Sequence, residues 1–189
     1  ESHIIASNVD QAILVATIAQ PRTSTGFIDR FTVTAEAYHI PVVIVFNKCD
    51  LYNDEQNAAA EELMRVYNGI GYQSFVISAK TGYNCDRLKT IMKDKLSMFS
   101  GHSGVGKSAL VNRLDPELDI RVGEISEVHE KGKHTTTFAQ MYELGFGGYI
   151  IDTPGIKEFA LFDMEKETLA QRFPEMRALM HDCRFNNSH

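Results

Sequence analysis

The octapeptide GHSGVGKS at 101–108 constrains this chain more than any other stretch. It has the form G-x-x-x-x-G-K-[ST], in the context that the pattern requires. The apolar run LSMFS at 96–100 precedes it as a strand, and KSALVNRL continues from it as a helix. Such a loop, here Gly101, His102, Ser103, Gly104, Val105, Gly106, Lys107, Ser108 and Ala109, turns backbone N–H groups inward around phosphate oxygens. Lys107 is placed to reach the β- and γ-phosphates, and Ser108 to hold Mg²⁺.

A strand that opens into a phosphate loop belongs to an α/β sheet, and the sequence supplies the rest of one. AILVATI (12–18), VVIVF (42–46) and SFVIS (74–78) are apolar runs of strand length, read with 96–100 as buried parallel strands. Between them, 25–39, 54–69 and 84–94 carry helical spacing. FAQMYEL (138–144) alternates like an edge strand, and GFGG (145–148) turns it into YIID (149–152) as an antiparallel hairpin. A last helix is expected over about 165–181. The fold class is therefore α/β, a P-loop NTPase three-layer sandwich on a mostly parallel six-stranded sheet. Residues 115–137 are polar and aperiodic, too long for a simple connection, and read as a functional loop.

The motifs at the strand ends follow an unusual order. NKCD at 47–50 has the N-K-x-D form of a guanine reader and closes the second strand, where open α/β sheets place ligands. Asp50 accepts from guanine N1–H and the 2-amino group, which adenine cannot offer. Asn47 is expected on the base edge, with the Lys48 stem along the ring. SAK (Ser78, Ala79, Lys80) closes the third strand, with the Ala79 N–H expected to donate to guanine O6. Each tripeptide or tetrapeptide is common alone; two at consecutive strand ends are not. After the phosphate loop come KGKHTTT (131–137) and DTPG (152–155). Thr136, preferred to Thr135, is expected to complete the Mg²⁺ shell. Asp152 is expected to bind Mg²⁺ through water, and the Gly155 N–H to sense the γ-phosphate. DTPG alone would be ordinary turn chemistry. The sequence of base reader, phosphate loop, mobile threonine and γ-phosphate sensor is a circular permutation of the order found in ordinary GTPases.

Composition excludes several classes. A net charge of −6 argues against a freestanding nucleic-acid binder, DNA included, but not against docking on RNA through a local basic patch. Lys131, Lys133 and His134 form one such cluster, equally readable as a solvated charge run. No apolar run reaches the length of a membrane span, and no membrane association is expected. Three cysteines do not make a disulfide scaffold, and a reducing, cytoplasmic setting fits best. The chain opens at Glu1 without a Met and stops within CRFNNSH, so both ends read as cuts.

The stretches NKCDLY, SAKTG, SGHSGVGKSALVNRL, VGEIS, KGKHTTT and IIDTPGIKEF closely resemble the RsgA (YjeQ) family, the circularly permuted bacterial GTPases of small-ribosomal-subunit assembly. The likeness covers essentially the whole chain. It implies a GTP hydrolase, Lys107, Ser108, Thr136 and Gly155 being its catalytic positions, with GTP/GDP and Mg²⁺ as cofactors. The partners implied are the small (30S) ribosomal subunit and its 16S rRNA, and a monomer is expected. It also implies three parts: an N-terminal OB-fold, absent here, a GTPase domain at 1–160, and a C-terminal helical zinc-binding segment beginning at 161–189. Cys183 and His189 match two Zn²⁺ ligands, but CRFNNSH is one residue short where the second Cys should stand. Ile156 occupies the position after Gly155 where many GTPases keep a water-orienting glutamine. Unassisted hydrolysis should then be slow, ~10⁻⁴ to 10⁻² s⁻¹ or below, and partner-stimulated. The alternative is a GTP/GDP-dependent binding module with negligible catalysis of its own. A metabolic P-loop kinase is disfavoured by Asp50.

Overall fold

Six strands form one sheet in the order β3-β2-β1-β4-β6-β5, with β1 at Gln11–Ala16, β2 at Val42–Phe46 and β3 at Gln73–Val76. The others are β4 at Leu96–Ser100, β5 at Gln140–Glu143 and β6 at Tyr149–Asp152. The computed structural model describes residues 8–120, 140–152 and 169–180, with the backbone alone at Gln140 and Asp152. Every neighbouring pair is parallel except β5 and β6, the expected hairpin across GFGG.

Strand alternation builds the two faces. Ile13 and Val15 of β1 pack with Val43, Val45, Phe75 and Phe99 under helices α3 (Cys85–Met92) and α4 (Lys107–Leu114). Ala12, Leu14 and Ala16 point the other way, with Ile44, Phe46 and Met98, under α1 (Thr25–Ala37) and α2 (Asp54–Gly69). A central strand apolar at every position is what burial on both faces demands. From β1 the chain crosses to β2 on one side, whereas β4 lies on its other side and pairs on with β6. The sheet's direction of winding thus reverses between β1 and β4, and the crevice at the carboxyl ends of those strands is where such a sheet takes its ligand.

Capping fixes the helices that flank this crevice. Ser24 Oγ accepts from the Phe27 N–H at 3.2 Å at the start of α1. Asn53 and Gln56 form a reciprocal box at the start of α2, at 2.9 and 3.1 Å. The first strand stops at Ala16 rather than residue 18, because the Thr17 N–H turns to Thr23 Oγ1 at 3.0 Å.

Two expectations are corrected. The last helix is not continuous: within 169–180 a single 3₁₀ turn at Ala170–Arg172 gives way to an extended Phe173, and a short helix α5 runs Pro174–Leu179. Pro174 has no N–H and drives the residue before it out of the helical region. This segment reaches α1 through Arg177 and Glu36, 3.2 Å apart. The functional loop also does not start at 115. Residues 115–120 are anchored at both ends by buried Asp115 and Ile120: Ile120 is 3% exposed, and the Asn112 amide bonds both its N–H (2.8 Å) and its carbonyl (2.7 Å). The remainder of that loop, 121–137, lies outside the described residues.

Asp115 ties the two banks of this loop together. Its carboxylate, 6% exposed, accepts from the Glu117 N–H at 3.1 Å and from the Gly145 N–H at 2.7 Å across the hairpin turn. Asp115→Ala removes the acceptor of two N–H groups on solvent-exposed residues, which water reaches in part, and is expected to cost about 1–3 kcal/mol in all. Urea unfolding should show the loss, together with faster hydrogen exchange at Gly145. Unchanged exchange at that amide would show that the carboxylate does not hold the hairpin.

Candidate nucleotide-binding site

The phosphate loop leaves β4 at Ser100 and closes at Gly106, the N-cap of α4. Two glycines are required by what surrounds them. Gly101, at φ +144°, lies so close to β1 that a Cβ would stand 2.2 Å from the Val15 carbonyl. At Gly106, φ +94°, a Cβ would meet Asn47 Nδ2 at 2.5 Å. Val105 between them is fully buried and anchors the loop in the core. Lys107 is 7% exposed, and its ammonium donates to the Gly101 and His102 carbonyls at 2.7 and 2.9 Å. A nearly buried cation must be met by acceptors, and the loop holds this one beneath its own concave turn. Ser108 is buried beside it, at 6%. A backbone cradle closed to side chains at Gly101 and Gly106 and centred on a nearly buried ammonium fits a polyphosphate.

The base side is built from the ends of β2 and β3. Asp50 is exposed in a 3₁₀ turn at Cys49–Leu51; its Oδ1 accepts from Ser78 Oγ at 2.6 Å. That hydroxyl accepts in turn from the Thr81 N–H at 3.1 Å, so its proton is directed at the carboxylate. Lys48 takes the left-handed conformation, φ +67°, and its ammonium bridges the Gln20 and Gly104 carbonyls at 2.6 and 2.7 Å. The tetrapeptide at 47–50 is thereby fastened to the phosphate loop.

Asn47 and Ala79 are bonded to each other. Asn47 is 1% exposed, and its amide is engaged at both ends: Nδ2 donates to the Val105 carbonyl at 2.9 Å, and Oδ1 accepts from the Ala79 N–H at 3.1 Å. The Ala79 N–H expected for guanine O6 is therefore directed to Asn47. A fully buried amide needs such partners. Asn47 joins the three loops, and the carboxylate of Asp50 stays exposed beside them.

Around these residues lie Tyr52, Thr17, Gln20 and Thr23, to which the sequence motifs assign no role, and the expected loop residue His102. The Tyr52 hydroxyl donates to the Asn47 carbonyl at 2.6 Å and accepts from the Ile18 N–H at 3.2 Å. Burial, above all, pushes this phenol up to about 12, so it stays a donor. Thr17, Gln20 and Thr23 shape the loop after β1; the only sequence signal was a Pro and three hydroxyl residues just past a strand's carboxyl end. His102 lies on the Phe27 ring, centroids 3.9 Å apart, and partial burial with the charges of Lys107 and Arg30 lowers its pKa.

On the metal side, register sets Asp152 at the end of β6, directly after the Ile151–Met98 pair that joins β6 to the loop-bearing strand. Among the described residues no three His, Cys, Asp or Glu side chains cluster to hold a metal. Thr136, Gly155, Cys183 and His189 lie outside the described residues, and Ser103, Lys80 and Ala109 make no contact there that defines a role.

A phosphate loop on the fourth strand, preceded in the chain by two base-side loops on the second and third, defines a circularly permuted P-loop nucleotide-binding domain. The chain belongs to the RsgA GTPase family, whose family model matches residues 1–162. It is 50% identical over 187 residues to small ribosomal subunit biogenesis GTPase RsgA 2 of Bacteroides thetaiotaomicron, covering 99% of this chain and 60% of that protein. RsgA of Flavobacterium psychrophilum is 51% identical, with 99% and 57% covered. The chain thus spans about three fifths of the length of these curated relatives. The crystal structure of YjeQ from Thermotoga maritima superposes with a TM-score of 0.77 at 42% identity, over 89% of this chain and 55% of that one. YloQ, a circularly permuted GTPase, gives 0.75 at 32%, over 95% and 56%. No helix among the described residues is long and apolar enough to cross a membrane.

Proposed function

We propose that this chain is the GTP-binding and hydrolysing domain of a protein that acts in maturation of the small ribosomal subunit, splitting GTP and water into GDP and phosphate. The relatives carry that function in their names. The observation that carries the reading over to this chain is Asn47, whose one amide fixes Val105 of the phosphate loop and Ala79 of the base side at 2.9 and 3.1 Å. That bond pair supports a reading in which Lys107 takes phosphate, Asp50 reads guanine, and Ser108, with Asp152 and Thr136, takes Mg²⁺. Lys107 neutralises charge on the terminal phosphates, and the Gly155 N–H reads the γ-phosphate. Mg²⁺, held by Ser108 with Asp152 and Thr136, would supply neutralisation of phosphate charge when bound. The domain occupies 1–160; the C-terminal helical segment, 161–189, carries Cys183 and His189 as candidate Zn²⁺ ligands. The partner is the small subunit with its 16S rRNA, which places the work in the cytoplasm.

Lys107→Ala and Ser108→Ala should each lower turnover by about 10²–10³-fold, for different reasons. Only the Ser108 variant should respond to exchange of Mg²⁺ for Mn²⁺, because only that residue holds the metal. Phosphate release measured across both ions tests the division, and identical metal responses would refute it. Ile156 favours a second reading, a binding module whose hydrolysis only resets it. Single-turnover phosphate release with and without small subunits separates the two: stimulation supports the hydrolase, and its absence the module.

A further inference from the structure

The lip of the phosphate loop carries two cations with no carboxylate partner among the described residues. They are Arg22 and Arg30, both exposed. Arg22 sits on a loop that is held rigidly. The Thr17 N–H donates to Thr23 Oγ1 at 3.0 Å, the Thr23 N–H returns to the Thr17 carbonyl at 2.9 Å, and Lys48 fastens Gln20. The residue before Arg22 abuts the phosphate loop: a Cβ on Gly104 would come within 3.5 Å of Pro21 Cδ. Arg30 folds back toward the first turn of α1, its guanidinium 3.7 Å from where a Cβ on Gly26 would stand. It is near enough to His102 to depress that group's ionisation, behind burial and Lys107.

The acids of the same helix face elsewhere. Asp29 accepts from the Tyr67 hydroxyl at 2.8 Å, Glu36 meets Arg177 at 3.2 Å, and the first turn of α1 has no acidic residue. In a chain of net charge −6 this is a local reversal of sign. It comes with an aromatic platform, the exposed His102 imidazole backed by the half-buried Phe27 ring. Unpaired guanidinium groups beside an exposed, supported ring are the means by which proteins hold single-stranded RNA, phosphates on the cations and an unstacked base on the ring.

We propose that this lip, formed by Arg22, Arg30 and the Phe27–His102 stack, is the surface on which an RNA strand of the small subunit docks. The proposal rests on the functional reading above and adds to it a place of contact. RNA bound there lies on the phosphate loop itself, so partner contact is transmitted to residues 101–106 without an intervening element.

The test is equilibrium binding of the chain, loaded with a non-hydrolysable GTP analogue, to purified small ribosomal subunits across roughly fourfold changes in salt. Arg22→Glu/Arg30→Glu should bind at least about tenfold more weakly, with a log–log salt slope shallower by about 1.5, as loss of two single-strand phosphate contacts requires. Its affinity for the analogue without subunits should match the parent, which shows that the fold is intact. His102→Ala should weaken subunit binding several-fold with the slope unchanged. Arg65→Glu/Lys93→Glu, the same charge change away from the lip, should behave as the parent. Parent-like binding by the arginine variant overturns the proposal and leaves the functional reading standing. Weakened binding with an unchanged slope in that variant places a protein on the lip and also overturns it. A parent that binds no subunits defeats the functional reading, and this proposal with it.

Discussion

Asp50→Asn is expected to bring the preference for GTP over XTP from ~10⁴ down to unity or past it, because a site built on hydrogen bonds rejects a ligand that leaves them unpaired. The geometry sets the direction. Ser78 Oγ, oriented by the Thr81 N–H at 3.1 Å, donates to one oxygen of residue 50 at 2.6 Å. In the variant the same hydroxyl holds the amide oxygen, and the amide NH₂ turns toward the base. It then clashes donor to donor with guanine N1–H and the 2-amino group, and pairs with the 2-oxo group of xanthine. Adding Ser78→Ala should let the amide flip, so that the double variant discriminates less than Asp50→Asn alone. Competition of GTP, XTP and ATP against a fluorescent guanine nucleotide measures both effects. A variant that kept GTP affinity and ignored XTP would remove Asp50 from the site.

What could be read from the sequence followed chain-local rules. NKCD, SAK and GHSGVGKS each sit within a residue or two of the end of a short apolar strand, and their order in the chain required a sheet wound outward from β1 in two directions. The features that escaped are tertiary. Nothing local to residue 47 says that its amide meets Val105, 58 residues on, and so ties the base-side loop to the phosphate loop. Ile18 is as apolar as the strand before it; only the Thr17–Thr23 bond takes it out of β1. Ile120 looks like an isolated apolar residue in a polar loop until the Asn112 amide is seen to hold it in the core. Pro174 breaks the helix expected over 165–181, because its missing N–H is a stronger constraint than the periodicity around it. The basic lip was hidden for another reason. Arginines look alike in a sequence, and the ones without carboxylate partners are distinguishable only in three dimensions.

The framework role of Asn47 predicts the largest stability effect and a test that a base-contacting residue would fail. Asn47→Ala strands the Val105 carbonyl and the Ala79 N–H in a site where Asn47 itself is 1% exposed. At about 1–3 kcal/mol for each buried group left unpaired, the loss is roughly 2–6 kcal/mol, a large part of a domain's stability. Gly106→Ala attacks the same joint from the other side, since its Cβ would stand 2.5 Å from Asn47 Nδ2. Its cost has two parts, the left-handed backbone at φ +94° and the collision that pushes the amide off Val105. In an Asn47→Ala background the collision disappears and only the backbone strain of about 1–2 kcal/mol remains. The double variant should therefore be more stable than the two single losses add up to, by at least about 1 kcal/mol. Urea unfolding without nucleotide reads this coupling directly. A base-edge role for Asn47 would lower GTP affinity and leave nucleotide-free stability unchanged, and the two substitutions would then simply add.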